Sequence, residues 1–177
     1  MTERSAEGVT MAAKKLKPEE WAAYLELYSE VNRRLRAQLW FADGWETKID
    51  YLNPDKPRGV WMDLIRKDWF DGAIHLESWV NQGRLEIGTS PVALHFETVK
   101  DRHGVNRNAL AAYLLERKGQ EVREWEGYTV RSDYSQEPIR TTVACNRETL
   151  VENLEREFVR LHTLGAVIDE AIAAQRD

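Results

Sequence analysis

The chain has 177 residues, of which 42% are apolar and seven are tryptophan, enough for one domain with its own core. Its net charge of −5 argues against a general duplex-binding surface, so nucleic acid is not an expected partner. No apolar run is long enough to span a bilayer, and no membrane partner is predicted. The single cysteine, Cys145, excludes an internal disulfide and a cysteine-based zinc site. Together with the absence of an apolar signal segment in residues 1–13, this single cysteine predicts a cytoplasmic protein.

The first predicted elements are a disordered tail over residues 1–16 and a helix that opens a single domain over residues 17–177. The helix is predicted from Pro18 to Trp40, because proline suits the first helical turn and apolar residues recur at helical spacing. These apolar residues are Trp21, Leu25, Tyr28, Val31, Leu35 and Leu39. Their spacing predicts a helix that packs on a sheet.

From Trp45 onwards, apolar and polar residues alternate, which is typical of strands. The predicted strands are Trp45–Leu52, Gly59–Ile65, Gly72–Val80, Arg84–Gly88 and Val92–Val99. The remaining predicted elements are a helix over Asn106–Lys118 closed by Gly119, a hairpin of Gly127–Ser132 and Ile139–Cys145, and a last helix from Asn146 or Thr149. Within that last helix, Gly165 either permits close packing or marks a bend.

This element order predicts a fold of the α+β class. The expected architecture is a mainly antiparallel sheet packed on one face by an N-terminal and a C-terminal helix, in the order α, four or five β, α, β, β, α. No linker or change of composition divides the chain after the tail.

Two matching tripeptides, His75-Leu76-Glu77 and His95-Phe96-Glu97, mark the candidate site. Side chains alternate between the faces of a strand, so each histidine and the glutamate two residues later lie on the same face. The predicted core face carries Ile74, Leu76, Val80, Leu85, Ile87, Val92, Leu94 and Phe96. The predicted polar face carries His75, Glu77, Trp79, Arg84, Glu86, His95 and Glu97, with Trp61 on a neighbouring strand.

This polar face has three interpretations. It is a plain solvated face, as antiparallel sheets often have, or a surface that binds a ligand or partner with Trp61 and Trp79 as anchors. It is a metal site if His75, Glu77, His95 and Glu97 come together, because imidazole and carboxylate suit zinc, iron or manganese. However, the predicted strand Arg84–Gly88 would separate the two histidine strands by about 9–10 Å. The sequence therefore predicts neither a bound metal nor a cofactor.

Nuclease chemistry is a further alternative, because Glu46-Thr47-Lys48 on a strand matches half of a restriction-type metal site. Such a site needs a second acid upstream, and only Glu26, Glu30 and Asp43 precede it. The sequence also lacks a glycine-rich phosphate loop and the serine-hydrolase and zinc-protease motifs. These absences favour a binding function over an enzymatic one.

The order of the elements resembles that of type III secretion chaperones and similar small acidic adaptors. The resemblance is carried by the helix, hairpin and helix at Asn108–Leu115, Tyr128–Arg131, Ile139–Cys145 and Leu150–Leu161. The chain is longer than those proteins, has an extra strand at Trp45–Leu52 and contains more tryptophan. The resemblance implies a homodimer that binds an extended segment of a protein or peptide partner.

The predicted function is therefore a bacterial-type cytoplasmic adaptor with a chaperone-like binding role. The alternatives are a metal- or ligand-dependent enzyme that uses the His/Glu sheet face, and a nuclease-related domain.

Overall fold

The computed structural model describes residues 15–97 and 106–175. The helices are α1 (Ala22–Arg36), α2 (Gln82–Ile87), α3 (Arg107–Arg123), α4 (Leu150–His162) and α5 (Gly165–Ala173). The strands are β1 (Trp45–Tyr51), β2 (Gly59–Arg66), β3 (Ile74–Asn81), β4 (Thr89–Phe96), β5 (Thr129–Val130) and β6 (Ile139–Ala144). Short 3-10 turns cover Pro18–Trp21, Leu39–Ala42 and Phe70–Gly72. Residues 1–14 of the predicted tail, and the end of the strand predicted to reach Val99, lie outside the described residues.

The six strands form one antiparallel sheet in the order β1-β2-β3-β4-β6-β5. Helix α1 packs against β1 and β2, and α4 packs against β3, β4 and β6, so the core lies between these helices and one face of the sheet. This arrangement confirms the predicted α+β class. Within the described ranges, no helix has the length and apolarity needed to cross a bilayer.

A buried hydroxyl cluster fixes α1 to the two central strands. The Tyr28 hydroxyl lies 3.1 Å from Ser78 Oγ on β3 and 3.3 Å from Ser90 Oγ on β4, and the two serine oxygens are 3.1 Å apart. Burial raises the pKa of Tyr28 to about 12, so the hydroxyl stays protonated and able to donate. These bonds hold β3 beside β4, which is the strand pair that carries both histidines.

Three predicted helices end differently in the structure. The first stops at Arg36, and Leu39 is 95% exposed rather than part of the apolar stripe. Helix α3 follows the predicted cap Asn106, whose Oδ1 accepts hydrogen bonds from the backbone N–H groups of residues 108 and 109. It continues past Gly119 and ends at Arg123. The last predicted helix is two helices. Gly165 begins the second one and also packs closely, because a Cβ there would lie 3.7 Å from the indole rings of Trp45 and Trp69.

The predicted strand Arg84–Gly88 is wrong, because these residues belong to α2 and its C-terminal cap. Asn81 Oδ1 accepts a hydrogen bond from the backbone N–H of Arg84 at 3.0 Å and caps the helix. Gly88 ends it with a φ of 82°, a left-handed conformation that favours glycine. The predicted core residues Leu85 and Ile87 therefore leave the sheet, and Ile87 is 68% exposed. As a result, β3 pairs directly with β4.

Candidate metal centre

The pairing of β3 with β4 brings the two histidines together. His75 and His95 are cross-strand partners, and His75 Nε2 lies 3.2 Å from His95 Nδ1. The predicted separation of 9–10 Å was wrong because it assumed an intervening strand. The two histidines are therefore close enough to share a metal ion.

Glu77 completes a compact set of three ligand atoms. Its Oε2 lies 3.2 Å from His95 Nδ1 and 3.8 Å from His75 Nε2. With the 3.2 Å separation of the two nitrogens, these distances define a triangle. One point lies about 2.0 Å from all three of its corners, which is the usual length of a zinc bond to nitrogen or oxygen. Two imidazoles and one carboxylate are also the ligand set of several catalytic zinc and iron centres.

The three side chains are largely shielded from water. Burial alone would raise the pKa of Glu77, but the neighbouring His75 and His95 rings lower it to about 2. Burial alone would lower the pKa of His75, but Glu77 and Asp63 outweigh it and the pKa is raised. Glu77 is therefore a carboxylate at neutral pH, the form that binds metal.

The ring orientation of His75 is fixed by the backbone. Its Nδ1 lies 2.8 Å from the carbonyl oxygen of Gly72, which only accepts, so Nδ1 carries a hydrogen and donates. In the neutral ring, Nε2 then has a free lone pair directed at the cluster. Metal-binding histidines commonly have this arrangement, with the second ring nitrogen held by a carbonyl or carboxylate.

Gln136 performs the same task for His95. Gln136 Nε2 lies 2.8 Å from His95 Nε2, and Gln136 Oε1 accepts from the Tyr134 hydroxyl at 3.2 Å. In this orientation the neutral His95 ring holds its hydrogen on Nδ1 and donates towards Glu77. Turning the amide by half a turn would present Oε1 to Nε2–H and free Nδ1 for a metal ion. Gln136 therefore accommodates both tautomers of His95.

We expect substitutions of Gln136 to change metal affinity in opposite directions. Gln136→Glu offers only acceptors to His95 Nε2 and favours the tautomer with a free Nδ1, so the affinity for Zn²⁺ should rise about tenfold. Gln136→Met leaves Nε2 without a partner and should lower it about tenfold. Competition with a chelator of known affinity measures both. Gln120→Glu, which adds the same charge at an exposed position of α3, is the control. Equal changes in Zn²⁺ affinity for Gln120→Glu and Gln136→Glu would contradict the role of Gln136 in selecting the His95 tautomer.

Asp63 is a fourth member of the cluster that the sequence analysis missed. It is the cross-strand partner of Glu77, and its Oδ1 lies 3.9 Å from His75 Nε2. Burial, with repulsion from Glu77, raises the pKa of Asp63 to about 6. In the ranges 15–97 and 106–175, its carboxylate accepts no hydrogen bond within normal distance. Strand parity could have found it, since Asp63 alternates with the buried Met62 and Leu64 and shares a face with Trp61.

The cluster borders an open groove of about 520 Å³, of the size that small molecules occupy. Its lining residues are Leu52, Trp61, Asp63, His75, Glu77, Ser78, Trp79, Asn81 and Glu97. Five of the predicted site residues, Trp61, His75, Glu77, Trp79 and Glu97, therefore line one groove, whereas His95 is not part of the lining and contacts it through His75 and Glu77. Arg84 is on α2, with its guanidinium 5.7 Å from the ring centre of Trp79. Glu86 is exposed on α2 and outside the groove, so its predicted place on the sheet face is wrong.

The residues of the nuclease alternative lie at the edge of the same face. Glu46 forms an ion pair of 2.9 Å with Lys67. Lys48 is the cross-strand partner of Asp63 and is exposed. The acid paired with Lys48 across the strands, Asp63, follows it in the sequence, whereas the predicted nuclease site required an acid before Glu46. Nuclease activity stays a prediction.

No protein-family model, curated protein or solved structure matches this chain. The resemblance to secretion chaperones, the protein partner, the homodimer and the cytoplasmic location therefore stay predictions.

Proposed function

We propose that the protein is a metal-dependent hydrolase, in which His75, Glu77 and His95 hold one divalent transition metal ion. The observation that carries the proposal is the triangle of ligand atoms, with sides of 3.2, 3.2 and 3.8 Å. Two corners are held before any ion arrives, His75 by Gly72 and Glu77 by the histidines, and Gln136 holds the His95 ring in place while its amide can turn to free Nδ1. Such preorganisation reduces the cost of assembling a site.

Three protein ligands leave a fourth coordination position for water or substrate, as in catalytic zinc sites. The groove reaches the cluster at His75 and Glu77, so a small molecule in the groove has access to that position. A bound metal ion polarises a carbonyl or phosphoryl oxygen and lowers the pKa of bound water.

Asp63 favours hydrolysis among the reactions that this ligand set supports. Its carboxylate lies beside the triangle and is not engaged by a hydrogen bond from the described residues. A free carboxylate at this place is positioned to accept a proton from the attacking water. The charges also balance, because Asp63 and Glu77 together carry two negative charges opposite the two positive charges of the ion.

Titration of the chelator-treated protein with Zn²⁺, Co²⁺ and Mn²⁺ tests the proposal. We expect one equivalent of Zn²⁺ to bind with micromolar or tighter affinity. At a free concentration of 100 times Kd, the ion should stabilise the fold by about 2.7 kcal/mol. Ca²⁺ should bind far more weakly, because it requires a larger set of oxygen ligands. No saturable binding of any of the three transition metals would reject the metal centre.

Hydrolysis is tested separately with an activated ester, p-nitrophenyl acetate. The zinc-loaded protein should hydrolyse it faster than the chelated protein, and Asp63→Asn should remove most of the difference. Equal rates for the loaded and chelated protein would reject the hydrolytic part of the proposal.

A further inference from the structure

The groove beside the candidate metal centre is lined by two tryptophans from adjacent strands. Trp61 on β2 and Trp79 on β3 are cross-strand partners, which places their Cβ atoms about 5 Å apart on one face. Both side chains are only partly buried, and both line the groove. We call these two side chains the tryptophan platform, because together they supply the aromatic surface of the groove lining.

Two arginines lie close to the ring of Trp79. The guanidinium groups of Arg84 and Arg140 lie 5.7 and 5.8 Å from its ring centre, and neither is among the residues that line the groove. Arg140 is the cross-strand partner of Ala93 on β4, whose small side chain leaves room for it. Both arginines therefore contact Trp79 from outside the groove lining, and Trp79 itself stays partly exposed in the groove.

The acidic side chains of the groove outnumber its basic ones. Asp63, Glu77 and Glu97 contribute carboxylates, and no lysine or arginine of the described chain lines the groove. Ionised carboxylates accept hydrogen bonds only, so a ligand must supply the donors. Anionic ligands would be repelled. A plain aromatic compound would cover the tryptophans but would offer no donors to the carboxylates.

We propose that the groove binds an uncharged saccharide of two or three units, with one ring against Trp61 and Trp79. The hydroxyl groups of the further units donate to Asp63 and Glu97, which lie about 7 and 20 Å along the strands from that pair. A sugar ring combines an apolar face with several donors at its rim, which matches this lining. Trp79 follows Glu77 by two residues, about 7 Å along the strand. A ring on the platform therefore places its neighbouring substituent at the metal centre. The inference rests on the proposed function only for this last point.

Isothermal titration with neutral and acidic trisaccharides tests the inference. Cellotriose and triacetylchitotriose are the neutral probes, and trigalacturonate is the acidic one, each titrated into chelated and zinc-loaded protein. We expect at least one neutral probe to bind with a Kd of a few millimolar or tighter, and trigalacturonate to bind at least tenfold more weakly. Absence of binding by both neutral probes, or tighter binding of trigalacturonate, would overturn the inference.

Variants of the platform locate the binding site. Trp79→Ala should weaken binding of the neutral probe at least tenfold, whereas Trp61→Phe, which keeps a flat ring, should weaken it less than threefold. Trp125→Ala is the matched control, because Trp125 packs against Tyr128 away from the groove. Unchanged binding by a folded Trp79→Ala protein would overturn the inference.

The two proposals fail in different ways. Binding of a neutral probe to a protein that takes up no metal would reject the metal centre and support the saccharide groove. Metal uptake without binding of either neutral probe would reject the saccharide groove and support the metal centre.

Discussion

Glu77→Gln is expected to lower the affinity for Zn²⁺ at least 100-fold, about 2.7 kcal/mol. The amide keeps the size of the side chain and an acceptor for His95, but it removes the negative charge and the stronger metal ligand. Substitutions of groups that only support a ligand already cost 10- to 100-fold, so loss of a ligand should cost at least as much. A chelator competition assay measures the change, and the melting temperature of the metal-free variant checks that it folds.

Glu97→Gln is the matched control for this substitution. Glu97 belongs to the second His-x-Glu tripeptide and lines the same groove, but it is exposed and outside the triangle of ligand atoms. Its substitution should change the affinity less than threefold. Similar losses for the two glutamates would show that general negative charge, rather than coordination by Glu77, attracts the ion.

Asp63→Asn is expected to stabilise the metal-free protein by about 2 kcal/mol at pH 8. Burial raises the pKa of Asp63 from 3.8 to about 6, so the folded state binds this proton more tightly than the unfolded state does. The favourable contribution of protonated Asp63 to the free energy of unfolding is fully present below pH 3.8, and it is lost as the pH rises through about 6. The asparagine variant does not titrate and avoids the cost of a buried charge.

Urea unfolding in the presence of a chelator, at pH 4 and pH 8, measures this difference. The gain in unfolding free energy should fall below about 1 kcal/mol at pH 4. Asp50→Asn, at an exposed position of β1 on the same sheet face, should change stability by less than about 0.5 kcal/mol at either pH. An Asp63→Asn protein that is less stable than the parent at pH 8 would contradict the assigned burial cost.

The sequence predicted the histidines, glutamates and tryptophans of the polar face correctly, but it wrongly placed Arg84 and Glu86 there and misjudged the distance between the two histidines. Strand parity depends only on local alternation, so it placed His75, Glu77 and His95 on one face. The alternation over residues 84–87 also fits about one turn of helix, and this ambiguity produced the false strand. Two local signals favoured the helix: Asn81 at the cap position and Gly88 at the end.

Other parts of the site depend on tertiary contacts that no local pattern contains. Gln136 lies in the loop before β6 and reaches His95 only because β4 and β6 are neighbours in the sheet. Likewise, the Gly72 carbonyl fixes the His75 tautomer through a turn in which Gly72 has a φ of 85°. Sheet order decides both contacts, and the spacing of residues in the chain does not reveal it.

X-ray absorption spectroscopy at the zinc edge of the 1:1 complex tests the central claim most directly. The proposed centre predicts two imidazole nitrogens and a carboxylate oxygen at about 2.0–2.1 Å, with one imidazole fewer in the His95→Ala protein. A first coordination shell without imidazole, or one that is unchanged by His95→Ala, would contradict the assignment of the metal centre to this pair of strands.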